Sequence, residues 1–127
     1  MSIYYTKEEL AEMLDASQHD FDMWRQTKKE AYLKDASNKL VAVAENLTSN
    51  KIKKDIKNWG EFKAAFAREY AKVEVLSDLY TLHRFFYEGL GYDQTEKDIE
   101  YVYHKTKKFF RNLVEETEKI KRKKVYV

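Results

Sequence analysis

One histidine in this chain stands where an imidazole has chemistry open to it. His83 lies in Leu82-His83-Arg84-Phe85-Phe86-Tyr87-Glu88-Gly89, on the apolar stripe of a helical pattern. A histidine there is either a hydrogen-bonded core residue, the commoner case, or an imidazole lining a groove and exchanging protons near neutral pH. Arg84 and Tyr87 are the neighbours that would share such a groove with it.

The other reactive groupings are weaker. Glu100 and His104 sit at i, i+4, so one helix face presents both, but two ligands do not make a metal site and such pairs more often make a surface contact. His19 with Asp20 and Asp22 is a similar small cluster near a helix start. The sequence predicts no metal at either place and no cofactor. The run Tyr101-x-Tyr103-His104-Lys105-x-Lys107-Lys108-Phe109-Phe110-Arg111 mixes aromatics with cations, as surfaces that stack single-stranded bases do. Helical spacing favours the plainer reading, in which Tyr103 and Phe109 pack inside and the lysines are solvated. The densest basic stretch is Lys119-Ile120-Lys121-Arg122-Lys123-Lys124. Lys121, Arg122, Lys123 and Lys124 could grip phosphates or complement the negative end of a helix dipole. No glycine-rich phosphate loop or nucleophile elbow is present.

The segment Leu82-His83-x-x-Phe86-Tyr87-Glu88-Gly89, followed by a short turn and a final amphipathic helix, resembles the archaeal PaREP group of HEPN (higher eukaryotes and prokaryotes nucleotide-binding) proteins. The stretch Asp35-Ala36-Ser37-Asn38-Lys39-Leu40-Val41-Ala42-Val43-Ala44-Glu45-Asn46-Leu47 is similar to that group's small-residue turn leading into an alanine-rich helix. The likeness covers about residues 20–118. It implies an up-and-down bundle of four or five helices, a homodimer, an RNA or nucleotide ligand, and a nucleotidyltransferase-type partner. Nuclease members of the superfamily carry an Arg four to six residues before the His. Here those positions are Leu79, Asp78 and Ser77, Arg84 follows the His, and Arg68 lies fifteen residues upstream. No catalytic residue is therefore assigned, and His83 is the only candidate. The expected function is binding without cleavage. The alternatives are a ribonuclease of a toxin–antitoxin system, with Arg68, Arg84 or Arg111 brought to His83 by the fold, and a structural dimer or adaptor.

These residues need elements to hold them. Thr6-Lys7-Glu8-Glu9 is a capping box, and the first helix carries Leu10, Met13 and Leu14 before fading near Asp15–Ser17. A second begins around Ser17–Asp20, with Phe21, Trp24, Lys28, Ala31 and Tyr32 on its stripe. Asp35-Ala36-Ser37-Asn38 breaks the pattern: Asp35 could cap a new turn or the helix could run straight through, and a helical hairpin or one bent helix is the favoured reading. Leu40, Val41, Val43, Ala44 and Leu47 then lead to an end at Thr48-Ser49-Asn50. Lys51–Lys57 reads as a short amphipathic helix or a loop, and Gly60 as a turn residue free to take positive φ. One long helix is predicted from about Glu61 to Glu88, with apolar or aromatic residues every three or four positions. Gly89-Leu90-Gly91 stops it. Thr95 opens the last helix, whose inward set is Ile99, Val102, Tyr103, Thr106, Phe109, Phe110, Leu113 and Ile120.

Composition agrees with this. The 127 residues contain no Pro, no Cys and three Gly. Sheet proteins need many tight turns, and those recruit Gly and Pro. The expectation is an all-α, single helical domain over 1–127, with its core at about 17–118 and a basic tail at 119–127. Without Cys there is no disulfide framework, and a cytoplasmic setting is expected. The N-terminus lacks the pattern of a secretion signal, and no apolar run approaches the ~20 residues of a membrane span. Charged residues make up 36%, a Lys/Glu-rich surface of the kind met in thermophile proteins. Residues 1–50 hold six Lys/Arg and nine Asp/Glu. The positive charge is thus concentrated after residue 50.

Overall fold

The computed structural model describes residues 5–88 and 96–117, without the side chains of Val73, His83 and residues 85–88. Among these residues there are five helices and no strand. They are α1 (Lys7–Thr27), α2 (Glu30–Ile52), α3 (Trp59–Tyr70), α4 (Val73–Glu88) and α5 (Glu96–Glu116). The expected all-α bundle is what the chain forms.

The Thr6 capping box is present. Thr6 Oγ1 accepts from the Glu9 amide at 3.2 Å, and the Thr6 amide donates to Glu9 Oε1 at 3.0 Å. The first helix does not fade near Asp15–Ser17, however. It runs on to Thr27, because its mid-helix polar residues have partners from other helices. Asp15 binds Arg111 at 2.7 Å. Ser17 is fully buried and donates to the Ala36 carbonyl at 2.7 Å. The break falls instead at Lys28 and Lys29. Lys28 is exposed, not part of the inner stripe, and takes a left-handed conformation, φ 61°, with its amide on the Trp24 carbonyl.

No turn or bend interrupts α2 at residues 35–38. Ala36 and Ser37 are fully buried within it. Their small side chains let α2 come close enough to α1 for Ser17 to reach a backbone carbonyl. α2 continues past Asn50 to Ile52, and residues 53–58 form the connection that follows.

The predicted long helix is two. α3 ends at Tyr70, with Ala71 left-handed at φ 51° and its amide on the Ala67 carbonyl at 3.1 Å. The reason is phase. α3 buries Phe62, Ala65 and Phe66, whereas α4 buries Val75, Leu79 and Leu82. At about 100° per residue, Val75 would emerge half a turn away from Phe66 on one straight helix. A joint is needed to turn both faces inward. Gly60 is no turn residue; it lies in the first turn of α3, which Asn58 caps through the Glu61 amide at 2.8 Å. The Thr95 start and the Gly89–Gly91 stop lie outside the described residues.

Alanine at positive φ is strained by about 1 kcal/mol or more. Ala71→Gly should therefore stabilise the protein by roughly 0.5–1 kcal/mol after the extra backbone entropy of Gly is subtracted. A thermal melt should show Tm raised by a few degrees. An unchanged or lower Tm would mean that the joint relaxes in solution.

Side-chain pairs give the topology. Lys28 meets Glu96, Arg25 meets Glu100, Asp15 meets Arg111, and Lys7 donates to the Glu115 carbonyl. Rising numbers on α1 pair with falling numbers on α5, so the two helices are antiparallel. α1 and α2 are separated by only Lys28 and Lys29, so α2 folds back along α1, and Asp20–Lys39 and Ser17–Ala36 link the two helices. α4 and α5 are linked through Lys105, which reaches both Glu74 and Asp78. α3 packs at the C-terminal end of α2, where Tyr70 donates to the Leu47 carbonyl at 3.5 Å and Phe66 faces Phe110 at 6.1 Å.

Candidate nucleic-acid interface on the last helix

α5 is strongly amphipathic. Ile99, Tyr103, Thr106, Phe110 and Val114 are buried and fix its rotation. Tyr103 is held most firmly. Its ring stacks on Phe21 with centroids 4.1 Å apart, and its hydroxyl lies 2.7 Å from Ser17 Oγ. Desolvation pushes the Tyr103 phenol well above its ordinary range, so it stays a neutral hydrogen-bonding group. Phe110 is buried and Phe109 packs partly buried against the core, as helical spacing predicts.

That rotation sends Tyr101 outward. It is 66% exposed, the most exposed large hydrophobic side chain among the described residues. One turn before it is Lys97, one turn after it Lys105, and two turns after it Lys108, with His104 between. These residues and Glu100 line an open groove of about 480 Å³. A second hollow of about 440 Å³, lined by Asp22, Arg25, Gln26 and Lys28, shares the Glu100 wall.

The charges differ in their commitments. Arg25 holds Glu100 at 2.9 Å, so that carboxylate is neutralised in place. Lys105 leans over the Tyr101 ring at 5.7 Å while pairing with Glu74 and Asp78. Burial raises the Asp78 carboxyl above its usual range, with Lys105 opposing the shift. Lys97 and Lys108 are exposed and have no carboxylate in ion-pair range among the described residues. An exposed aromatic is therefore flanked by two uncommitted cations, about 16 Å apart along the helix at 1.5 Å per residue.

His104 lies between the two hollows. Its ring edge meets Phe21 at 5.2 Å and Tyr103 at 5.5 Å. Desolvation, then Lys107 and Arg25, lower its pKa, while Glu100 and Asp22 oppose the shift. The imidazole is therefore mainly neutral at pH 7 and titrates below the ordinary histidine value of about 6.5. The folded state resists its protonation, so any stability His104 contributes is present above pH 6.5 and declines as pH falls through that value. Glu100 and His104 do not share an ion pair of their own; Glu100 turns to Arg25. Among the described residues no three His, Cys, Asp or Glu side chains converge as metal ligands. His19 is exposed, and its neighbours Asp20 and Asp22 engage Lys39 and Gln18.

The residues singled out from sequence fall differently. His83, Arg84 and Tyr87 are on the C-terminal half of α4. Arg84 is exposed, and the side chains of His83 and Tyr87 lie outside the described ones. Lys121, Arg122, Lys123 and Lys124 also lie outside the described residues. Of the arginines that might have joined His83, Arg68 pairs with Glu69 at 3.6 Å and Arg111 with Asp15. The only large hydrophobic side chains exposed among the described residues are Tyr80 and Tyr101, on different helices.

Tyr101, Lys105 and Lys108 belong to the aromatic and basic run, which does not set them apart from its other members, and Lys97 lies one turn before it. The available signal was rotational. With Ile99, Tyr103 and Thr106 inward, Tyr101 must face away from them. No helix among the described residues is long and apolar enough to cross a membrane. No protein-family model, curated protein or solved structure matches this chain.

Proposed function

We propose that this protein is a HEPN-like helical bundle that binds single-stranded RNA along α5, without cleaving it. The observation that carries the reading is Tyr101, exposed between Lys97 and Lys108. A ring open on one face stacks with an unpaired base, and the cations on either side meet the phosphates. A single nucleotide would be served better by an enclosed pocket, and this groove is open along the helix. The HEPN resemblance supports an RNA setting. It extends the proposal to a cytoplasmic, thermophilic archaeal protein that acts as a homodimer with a nucleotidyltransferase-type partner.

The test is fluorescence anisotropy with a labelled oligouridylate on wild type and Tyr101→Ala. The variant should bind clearly more weakly, and equal affinity would end this reading. The same mixtures run on a denaturing gel should show intact RNA. Cleavage by wild type, lost in His83→Ala or His104→Ala, would move the protein to the ribonuclease alternative.

Lowering the pH adds a charge to the groove. Binding should tighten as pH falls below the ordinary histidine value of about 6.5 and His104 becomes protonated. His104→Gln should lose that pH dependence while keeping the neutral-pH affinity. A wild-type affinity independent of pH would show that His104 does not face the bound strand.

A further inference from the structure

Among the described residues, the strongest concentration of positive charge is not on α5. Residues 51–72 hold seven Lys/Arg and three Asp/Glu, a net +4 in a chain whose total is +2. The fold gathers them at one corner, made by the end of α2, residues 53–58 and α3. Lys53 is the left-handed residue closing α2, at φ 56°, and the Lys53 and Lys54 amides both reach back to the Ser49 carbonyl. This pins the connection against the bundle. Tyr70 packs under Lys51, whose ammonium sits 4.6 Å from the ring centroid.

Along the seam of α1 and α5, charged side chains largely face partners of opposite sign. The corner does not follow this pattern. Lys54 has only a long contact with Glu61, at 3.9 Å, and Arg68 pairs with its chain neighbour Glu69. Lys53, Lys57, Lys63 and Lys72 are exposed, and no carboxylate among the described residues lies within ion-pair range of them. Like charges gathered in excess of their counter-charges repel one another and weaken the folded state. A polyanion would relieve that repulsion.

We infer that this corner is a second binding surface, which grips the phosphate backbone of single-stranded RNA by charge alone. The inference deepens the RNA reading above and rests on it for the identity of the polyanion. The side chains favour this partner. Lysines act as point charges and suit contact that ignores base identity. Recognition of a phosphopeptide would call for arginine forks, and the corner has one arginine. A membrane-surface helix needs an apolar face to bury among lipids. α3 has already spent that face, since Phe62, Ala65 and Phe66 are buried in the core.

The experiment measures the affinity for a labelled oligouridylate between roughly 50 and 200 mM KCl, where each phosphate contact on a single strand contributes about 0.7 to the log–log slope. Wild type is compared with the fourfold variant Lys53→Gln, Lys57→Gln, Lys63→Gln, Lys72→Gln. The slope should become shallower by about 0.7 for each lysine that met a phosphate, and affinity at low salt should fall at least ~10-fold. The twofold variant Lys57→Gln, Lys63→Gln should show about half that change, and it supplies the readout should the fourfold variant fail to fold. Lys29→Gln, Lys34→Gln, on the opposite end of α2, should leave the slope unchanged.

An unchanged slope in the corner variants overturns the inference. So does a variant that keeps the RNA slope but loses binding to phosphatidylserine–phosphatidylcholine vesicles, which would assign the corner to a membrane surface. Tyr101→Ala separates this inference from the reading it rests on. If that variant binds as wild type while the corner variants lose slope, the α5 groove is excluded and the corner stands. The converse leaves the groove and removes the corner.

Discussion

Phe21→Ala should lower the stability of this protein by about 3–5 kcal/mol, the usual cost of emptying a buried aromatic site. Domains of this size hold about 5–15 kcal/mol in all, so the variant should be close to unfolding at room temperature. Phe21 is fully buried. It stacks on Tyr103, lies 5.4 Å from Trp24 and meets the edge of His104. Its removal opens a cavity between α1 and α5 and takes away the platform that sets the rotation of α5. The ion pairs along the same seam cannot compensate. The Arg25 and Glu100 side chains are 51% and 33% exposed, and such pairs contribute about 0–1 kcal/mol each. Urea unfolding should show a lower midpoint at an unchanged slope. A loss below about 1 kcal/mol would mean that the charged seam, and not the stack, holds the two helices together.

Tyr101→Ala should do the opposite, leaving stability nearly intact and damaging binding. The ring is largely in solvent, so truncation leaves no cavity, and Ala is the better helix former. Stacking of a base on an aromatic side chain is worth about 1–3 kcal/mol, which is roughly a 5- to 150-fold loss of affinity for single-stranded RNA. Tyr101→Phe keeps the stacking face and should retain most of the affinity. A duplex of the same length offers no free base face, so Tyr101→Ala should change its binding little. Weaker binding of duplex and single strand alike would show that the ring acts only by shaping the groove. The two substitutions separate two roles: Phe21 sets where α5 points, and Tyr101 is what that orientation presents.

The helical class was legible without coordinates. A chain with no Pro, three Gly and apolar residues every three or four positions has little choice but helices. The Thr6 capping box was equally legible, because its partners are three residues apart and the bonds are local. The inward set of α5 was readable for the same reason from Ile99 to Phe110, while beyond it Val114 takes the buried position, Leu113 is only partly buried and Ile120 lies outside the described residues.

The joints were not legible. Asp15–Ser17 and Asp35–Asn38 look like interruptions because Ser, Asp and Asn compete for backbone bonds in isolated helices. Ser17, Ala36 and Tyr103 cancel that competition, and they meet only when α1, α2 and α5 are packed. Ala71 carries no local signal for a left-handed turn; the joint there follows from the faces that Phe66 and Val75 must turn to a common core. The same distinction holds for the surface. Sequence could count the lysines and tyrosines, but their exposure depends on helix rotation and their freedom on which carboxylates arrive from other helices. The all-helical class and its capped beginning came from contacts within a few residues. The breaks between helices, the outward turn of Tyr101 and the lysine-rich corner after α2 were decided by packing between residues far apart in the chain.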